Sequence, residues 1–479
     1  MSERLLLHSD SYINGEWRSG THSQPVIDPA TEAVFGHVAV TSVEDCLDAV
    51  HTATERFATW SKLAPRARSE ILRRAYEFMT QDAMPLAELI VRENGKTLRE
   101  ARAEVSYAAE FFRWYSEEAV RLEGDYRQAP GGANWMLIRR EPIGVSLLIT
   151  PWNLPAAMVT RKIAPALAAG CTVVVKPASE TPFTALAIAE LLERSGLPPG
   201  VVNVVVPDPV GPAVEAMMES GAVRKLSFTG STEVGRTLLG LAARQVISCS
   251  MELGGNAPFI VTATCPIEVA IEGAGTAKLL HGGAACIAAN RFYVHESLVD
   301  EFTGRLAHLF GRLAVGSGLD PANDVGALVS RREQASVNGY IDSALSGGAE
   351  IVGARPDIPQ RGYFVQPTVL TMPDAVDGLL DKEIFGPVAP IIPWAEEAQV
   401  VAQANNTRHG LASYVYSGDA ASAIRIGEQL ECGMVGINRG ILSDSAAPFG
   451  GMKESGIGRE GGHDGILEFV ETKYMAGTW

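Results

Sequence analysis

Residues 145–196 read VSLLITPWNLPAAMVTRKIAPALAAGCTVVVKPASETPFTALAIAELLERSG, and their alternation decides the fold. VSLLIT (145–150) and TVVVK (172–176) are short apolar runs with many β-branched residues, as expected of strands buried on both faces. AMVTRKIAPALAAG and PFTALAIAELLERSG follow them with helical composition and length. Outward along the chain the pattern repeats. VVNVVV (201–206) and RKLSF (224–228) are further strands, with GPAVEAMMESG between them as a helix. Strand–helix alternation with continuous apolar strands specifies a doubly wound parallel sheet, covered on both faces. Such sheets bind nucleotides at the carboxyl ends of their strands.

A second α/β series begins near Met251. APFIV, RFYVH and APIIPW are its strands, and CPIEVAIEGAGTAKLL and SLVDEFTGRLAHLF are its helices. On the amino-terminal side, Asn14-Gly15 in YINGEW is a hairpin turn signal. Ser42, three residues before Asp45, opens a helical region that runs to about Arg121. NWMLIRREPIG reads as an extended strand ending at Pro142–Gly144. The tail ILEFVETKYMAGTW has two readings from its residues, a strand that pairs with another subunit or a segment that packs on its own domain.

Composition narrows the partners. The chain has 479 residues, which is room for two or three domains, and a formal net charge of −16. That charge argues against nucleic-acid and anionic-membrane partners. The longest apolar stretch, IAPALAAGCTVVV, is shorter than the roughly 18 residues of a membrane span. The six cysteines are scattered without a CxxC pair, so a reducing, cytoplasmic compartment is expected. The nine histidines form no HExxH or His-x-x-x-His cluster, and no metal site is expected.

Several segments carry groups suited to chemistry. Cys286 in HGGAACIAANR has small neighbours on both sides, leaving space for a reacting carbon at the sulfur and a backbone N–H for an oxyanion. For a lone cysteine a buried core position is the commoner role, and the small neighbours count against it here. Thr150, Pro151, Trp152 and Asn153 follow the first strand of the sheet, and Asn153 is either an oxyanion donor or a turn residue. Lys176 ends the second strand, where a lysine suits a cofactor hydroxyl or phosphate. In FTGSTEVG, Gly230, Ser231 and Gly235 lie between a strand and a helix, so backbone N–H groups there can bind phosphate. Glu252, ahead of a glycine pair in MELGGNAP, is placed to activate water. KEIFGP offers Glu383 and Phe385 for hydrogen bonding and stacking.

In this order the motifs PWN, KPASETP, FTGSTEVG, ELGGNAP, the cysteine segment, EIFGP and PFGGMKESGIGRE resemble those of the aldehyde dehydrogenase superfamily over nearly the whole chain. KLSFTGSTEVGR, YAAEFF and GINRGILSDSAAPFGG most resemble succinate-semialdehyde dehydrogenases. The resemblance implies an aldehyde dehydrogenase-like α/β subunit in three parts. Residues 1–121 and 143–251 form the dinucleotide-binding domain, and residues 252–455 the catalytic domain. Residues 122–142 and 456–479 form a small β oligomerisation element of a homodimer or homotetramer.

The resemblance also implies roles. Cys286 attacks the aldehyde, and Asn153 with the Cys286 N–H holds the oxyanion. Glu252 activates water, and Lys162 and Glu460 relay protons. NADP or NAD lies against Thr150, Pro151, Trp152, Lys176, Ser179 and Glu180 on one side. Gly230, Ser231, Gly235, Leu253, Glu383 and Phe385 complete its site. Where family members usually carry Gln two residues before the cysteine, this chain has Ala284. Where succinate-semialdehyde dehydrogenases usually carry Arg six before it, this chain has Leu280. Arg161 matches a retained anion anchor, while Arg113 and Arg439, with Ser443 and Ser445, are candidates for a displaced one. Ser179 occupies the position of the glutamate that marks NAD preference, leaving room for a 2′-phosphate unless Glu180 turns inward. The expected activity is oxidation of a small acid-bearing semialdehyde. The alternatives are an apolar or aromatic aldehyde, favoured by Leu279, Leu280 and Ala284, and a non-catalytic binding protein. Glu252 argues against a coenzyme A-dependent reaction.

Overall fold

The computed structural model of the chain describes residues 7–372 and 378–478. Trp479, the end of the expected tail strand, lies outside them, as do residues 1–6 and 373–377 of the two expected domains. Five parallel strands form the body of the first sheet in the spatial order Val202–Val204, Thr172–Lys176, Val145–Ile149, Val223–Thr229 and Ser248–Glu252. The chain winds outward from Val145–Ile149 in one direction, then crosses to Val223–Thr229 on its other side. That reversal leaves a crevice at the carboxyl ends of these two adjacent strands. The hairpin of Ser11–Ile13 and Glu16–Arg18 extends one edge of the sheet. Asn14 and Gly15 make its turn with φ of 56° and 79°, the pair of left-handed residues that a two-residue hairpin loop requires.

Helices cover both faces of this sheet. Ser42 caps Val43–Trp60, its hydroxyl accepting from the Asp45 N–H at 3.0 Å, and three more helices follow to Glu118. Ala157–Ala169 is the most enclosed helix near the site. Every one of its residues is buried, Arg161 and Lys162 included, and Gly170 ends it in a left-handed conformation at φ 101°. Two cationic side chains inside an apolar helix need partners within the protein.

Among the described residues the second sheet has seven strands in the order Glu350–Ile351, Thr368–Thr371, Val388–Trp394, Ala289–His295, Ala257–Val261, Ala412–Tyr416 and Met434–Ile437. All pairs except the first are parallel. The core on one of its two helix-covered faces centres on Phe259, Phe292 and Tyr416, with 5.1 Å between the first two ring centroids and 4.6 Å between Phe259 and Tyr416. The strands at 257–261, 289–295 and 388–394 match the apolar runs of the sequence. Thr368–Thr371 and Met434–Ile437 do not stand out there, because four residues flanked by turns carry no usable period.

The third sheet joins Asp125–Gln128, Trp135–Pro142 and Val470–Gly477. The tail therefore pairs with its own chain, in an eight-residue antiparallel register from Val470 opposite Pro142 to Gly477 opposite Trp135. Its other edge carries no strand among the described residues. No described helix is long and apolar enough to cross a membrane.

Phe292 is fully buried at the centre of the second sheet. Phe292→Ala should lower unfolding free energy by about 3–5 kcal/mol, the usual cost of truncating a buried phenylalanine. Urea unfolding followed by tryptophan fluorescence measures this, and a loss under about 1 kcal/mol would mean that the site collapses around the cavity.

Candidate active site

The first sheet presents the carboxyl ends of its strands to the amino ends of the second, and the site lies between them. Thr150–Asn153 follow Val145–Ile149, Lys176 ends its own strand, Gly230 and Ser231 follow Val223–Thr229, and Glu252 ends Ser248–Glu252. From the other side come Gly254 before Ala257–Val261, Cys286 before Ala289–His295, and Glu383 and Phe385 before Val388–Trp394. These groups line one cavity of about 490 Å³. Of the expected cofactor residues, Thr150, Pro151, Trp152, Lys176, Ser179 and Glu180 face it from one wall. Gly230, Ser231 and Leu253 line it from the same sheet, Glu383 and Phe385 from the second, and Asn153, Glu252 and Cys286 complete it.

Gly235 does not line the cavity. A Cβ there would lie 2.5 Å from Leu253 Cδ2, so this glycine lets helix Thr232–Gln245 approach the strand end that carries Leu253. Ser231 caps that helix, its hydroxyl accepting from the Val234 N–H. The helix start thus faces the cavity with its positive dipole end. Met158, Phe228, Val234, Arg332, Glu333 and Ser336 also line the cavity and were not expected. The last three belong to the first turns of helix Arg331–Ser346, which Ser330 caps through the Glu333 N–H. In sequence that pattern marks only a helix start.

The cysteine loop is held by close backbone packing. Gly283 has φ 85°, and a Cβ on it would lie 2.3 Å from the Gly386 carbonyl oxygen. A Cβ on Gly255 would lie 2.1 Å from the Cys286 carbonyl oxygen. The Asn153 side chain donates from Nδ2 to the Ala284 carbonyl at 3.1 Å, which ties the Pro-Trp-Asn loop to the segment just before the cysteine. Glu383 Oε1 accepts from the Gly255 N–H at 2.9 Å, and Trp152 meets Phe385 edge to face at 5.5 Å.

Burial dominates the electrostatics. It pushes the Cys286 thiol up to about 12, and the nearby Arg161 guanidinium opposes that. It lifts the Glu252 carboxyl well above the usual range, with Glu460 adding to the effect and Arg161 and Lys162 countering it. Burial likewise moves Glu383 up to about 7. It lowers Lys176, and Glu180 acts in the opposite sense.

Beneath Cys286 and Glu252 lies a buried charge cluster. Lys162 Nζ donates to Glu460 Oε1 at 2.5 Å and to Ser227 Oγ at 2.9 Å, and Arg161 Nε lies 2.5 Å from Glu460 Oε2. The Arg161 guanidinium also sits 4.2 Å above the Phe449 ring. Burial alone would raise the Glu460 carboxyl, but the two cations outweigh it and hold it below the usual range.

Of the substrate candidates, Arg161 and Ser443 both reach the Tyr107 hydroxyl, while Arg113 and Arg439 have partners of their own. Arg113 is an exposed side chain that pairs with Glu110 at 2.8 Å and covers the Tyr76 ring at 5.3 Å, so helix-surface pairing accounts for it. Arg439 is exposed and donates from Nε to the Ile441 carbonyl at 2.7 Å. Ser443 is part-buried and Ser445 is buried, the latter's carbonyl accepting from the Gly462 N–H at 2.8 Å. None of the five lines the 490 Å³ cavity, and Arg161, the one nearest the cysteine, already shares its charge with Glu460.

Residues 17–475 match the model of the aldehyde dehydrogenase family. A succinate-semialdehyde dehydrogenase of Paenarthrobacter nicotinovorans is 46% identical over 91% of this chain and 97% of its own length. An NADP(+) succinate-semialdehyde dehydrogenase of Escherichia coli is 42% identical, with 99% of both chains covered. A crystal structure of succinate-semialdehyde dehydrogenase from Burkholderia pseudomallei superposes with a TM-score of 0.96 at 42% identity, covering 98% of each chain. With this fold and these motifs in place, the chain belongs to the aldehyde dehydrogenase family.

Proposed function

We propose that this protein uses NAD(P) to oxidise a small acid-bearing semialdehyde to the corresponding dicarboxylate, with Cys286 as nucleophile. The observation that carries this reading is the meeting of Cys286, Asn153 and Glu252 in one cavity with the dinucleotide-facing residues. The cavity suits such a cofactor. The buried hydroxyls of Thr150 and Thr229 have no hydrogen-bond partner there, and neither does Glu252 Oε2. Lys176, Ser179 and Glu180 would hold the adenosine end, the Ser231 helix start the pyrophosphate, and Glu383 the nicotinamide ribose. When bound, the nicotinamide ring accepts the hydride released from the aldehyde carbon.

In this reading the chain's own groups do the rest. Cys286 gives up its proton to water in the cavity, and its sulfur bonds to the carbonyl carbon as the carbonyl π pair moves onto oxygen. The charge growing on the carbonyl oxygen is met by Asn153 Nδ2 and the Cys286 N–H. After hydride loss the substrate is a thioester on Cys286. Glu252 takes a proton from water, the hydroxide adds to the thioester, and the carbon–sulfur bond breaks to leave the acid and a Cys286 thiolate. Lys162 and Glu460 sit behind Glu252 and can carry its proton away.

The relatives named for succinate or glutarate semialdehyde support an acid-bearing substrate. A second reading, an apolar or aromatic aldehyde, gains from two observations. Leu280 packs against the apolar core near the cysteine, and Arg161 is already paired with Glu460, which it shares with Lys162. A panel of matched acid and neutral aldehydes, scored by kcat/KM, separates the readings. The acid aldehyde should win by about 10-fold or more, the worth of one charge-assisted hydrogen bond. Parity would favour the apolar reading.

We also propose residues 1–121 and 143–251 as the cofactor domain and residues 252–455 as the catalytic domain. The three-stranded sheet of 122–142 and the tail would join subunits of a cytoplasmic homodimer or homotetramer. Its open edge and six free cysteines support that assembly and that compartment.

Glu252→Gln should leave a rapid burst of reduced cofactor followed by a much slower steady state, because deacylation needs the base more than hydride loss does. Stopped-flow absorbance shows this, and loss of the burst would assign Glu252 to thiol activation. For cofactor choice, Ser179 admits a 2′-phosphate while Glu180 faces the same cavity. NADP and NAD should both serve. Glu180→Gln should raise kcat/KM for NADP relative to NAD by about fivefold, the scale of one partly exposed charge interaction of ~1 kcal/mol. An unchanged ratio would take Glu180 out of cofactor selection.

A further inference from the structure

A second, far smaller cavity lies on the other side of the Asn153 loop. It encloses about 10 Å³, at the lower limit for one water, and Asn94, Lys96, Trp152, Asn153 and His281 contribute to its wall. Two of these side chains are more than nine-tenths buried and carry a polar atom with no hydrogen-bond partner, Asn153 Oδ1 and His281 Nδ1. An unmet buried polar atom costs about 1–3 kcal/mol. Two residues that each carry such an atom line this one water-sized cavity.

The backbone brings His281 there at a cost. Its φ and ψ are 53° and 43°, a left-handed conformation uncommon outside glycine and in which asparagine, aspartate and histidine are enriched. Gly282 and Gly283 continue in positive φ at 62° and 85°, and together the three residues turn the chain from helix Ile267–Leu279 into the cysteine loop. Two other polar side chains of the wall are already engaged. Asn94 Nδ2 donates to the Trp152 carbonyl at 2.8 Å. Lys96 Nζ donates to the Asn153 carbonyl at 2.7 Å and pairs with the buried Glu104. Burial, aided by Lys96, keeps the His281 imidazole neutral, with one ring N–H to give.

We propose that this cavity binds a single water that accepts from His281 Nδ1–H and donates to Asn153 Oδ1, which makes His281 a positioning residue for the Asn153 amide. The inference rests on the oxyanion role proposed above for Asn153. The amide has two N–H donors. One is held by the Ala284 carbonyl, and the other is left for the substrate oxygen. If the amide flipped, its oxygen would face both the Ala284 carbonyl and the developing oxyanion. A donor anchored at Oδ1 removes that alternative orientation before substrate arrives.

The test combines a structure with a mutant cycle. A high-resolution crystal structure of the unaltered protein should show an ordered water between His281 and Asn153, and an empty cavity would overturn the proposal. His281→Phe keeps the bulk and removes the nitrogen. It should lower the single-turnover rate of cofactor reduction about 10-fold, less than the ~10²–10³ lost with an oxyanion donor itself. Aldehyde KM and cofactor affinity should hold, and His281→Asn, which tolerates the left-handed backbone, should recover most of the rate. In an Asn153→Ala background the His281→Phe effect should vanish, because the group it positions is gone. Equal losses in both backgrounds would mean that His281 only supports the fold. If Asn153→Ala by itself leaves the single-turnover rate unchanged, the oxyanion reading fails, and the positioning role with it.

Discussion

The Glu460 carboxylate, gripped from both sides by Arg161 and Lys162, is the constraint on which the site depends. The two cations lie on a helix that is buried along its whole length, so they have no water to fall back on. A charge isolated there would be strongly destabilising, whereas a closed cluster is tolerated. Glu460 comes from the far end of the chain, on a segment bridged to Phe449 in both backbone directions. The cluster therefore fastens the carboxy-terminal segment to the first sheet's central helix. It also sets the field felt by Glu252 and Cys286, whose proton affinities Arg161 restrains. One interaction thus closes the fold and tunes the groups above it.

Much of this was legible in sequence, and the legible part has a physical pattern. The strand ends at Thr150, Lys176 and Gly230 follow from the rule that ligands gather at the carboxyl ends of parallel strands. The second sheet contributes from the opposite ends, since Gly254, Cys286 and Glu383 each precede a strand. No periodicity argument reaches them: Cys286 is marked by its small neighbours and Glu383 by the turn after it, motif order joins the two, and Gly254 carries no such mark. Residues 332–336 escaped both routes. They approach from a helix distant in sequence, and a capped helix start looks the same whether it faces solvent or a cavity.

The arginine candidates show where reading from sequence stops. Arg113 and Arg439 stood out as residue types unexpected at their positions, yet identity says nothing about direction. Arg113 finds Glu110 one helical turn away, and its stem covers Tyr76. Arg161 matches a retained anion anchor in sequence, and only the three-dimensional structure shows a carboxylate against it. A cation's worth to a substrate depends on which partner it has already met, and that partner lies 299 positions away in sequence.

Gly255 has a different kind of consequence. Its hydrogen stands where any side chain would strike the carbonyl of Cys286, so two distant motifs share one steric boundary. For protein engineers this defines a unit of inheritance. A chimera whose crossover falls between these residues stays sound only if both parents hold that boundary in the same place. Grafting the nucleophile's loop onto another scaffold requires moving the glycine with it.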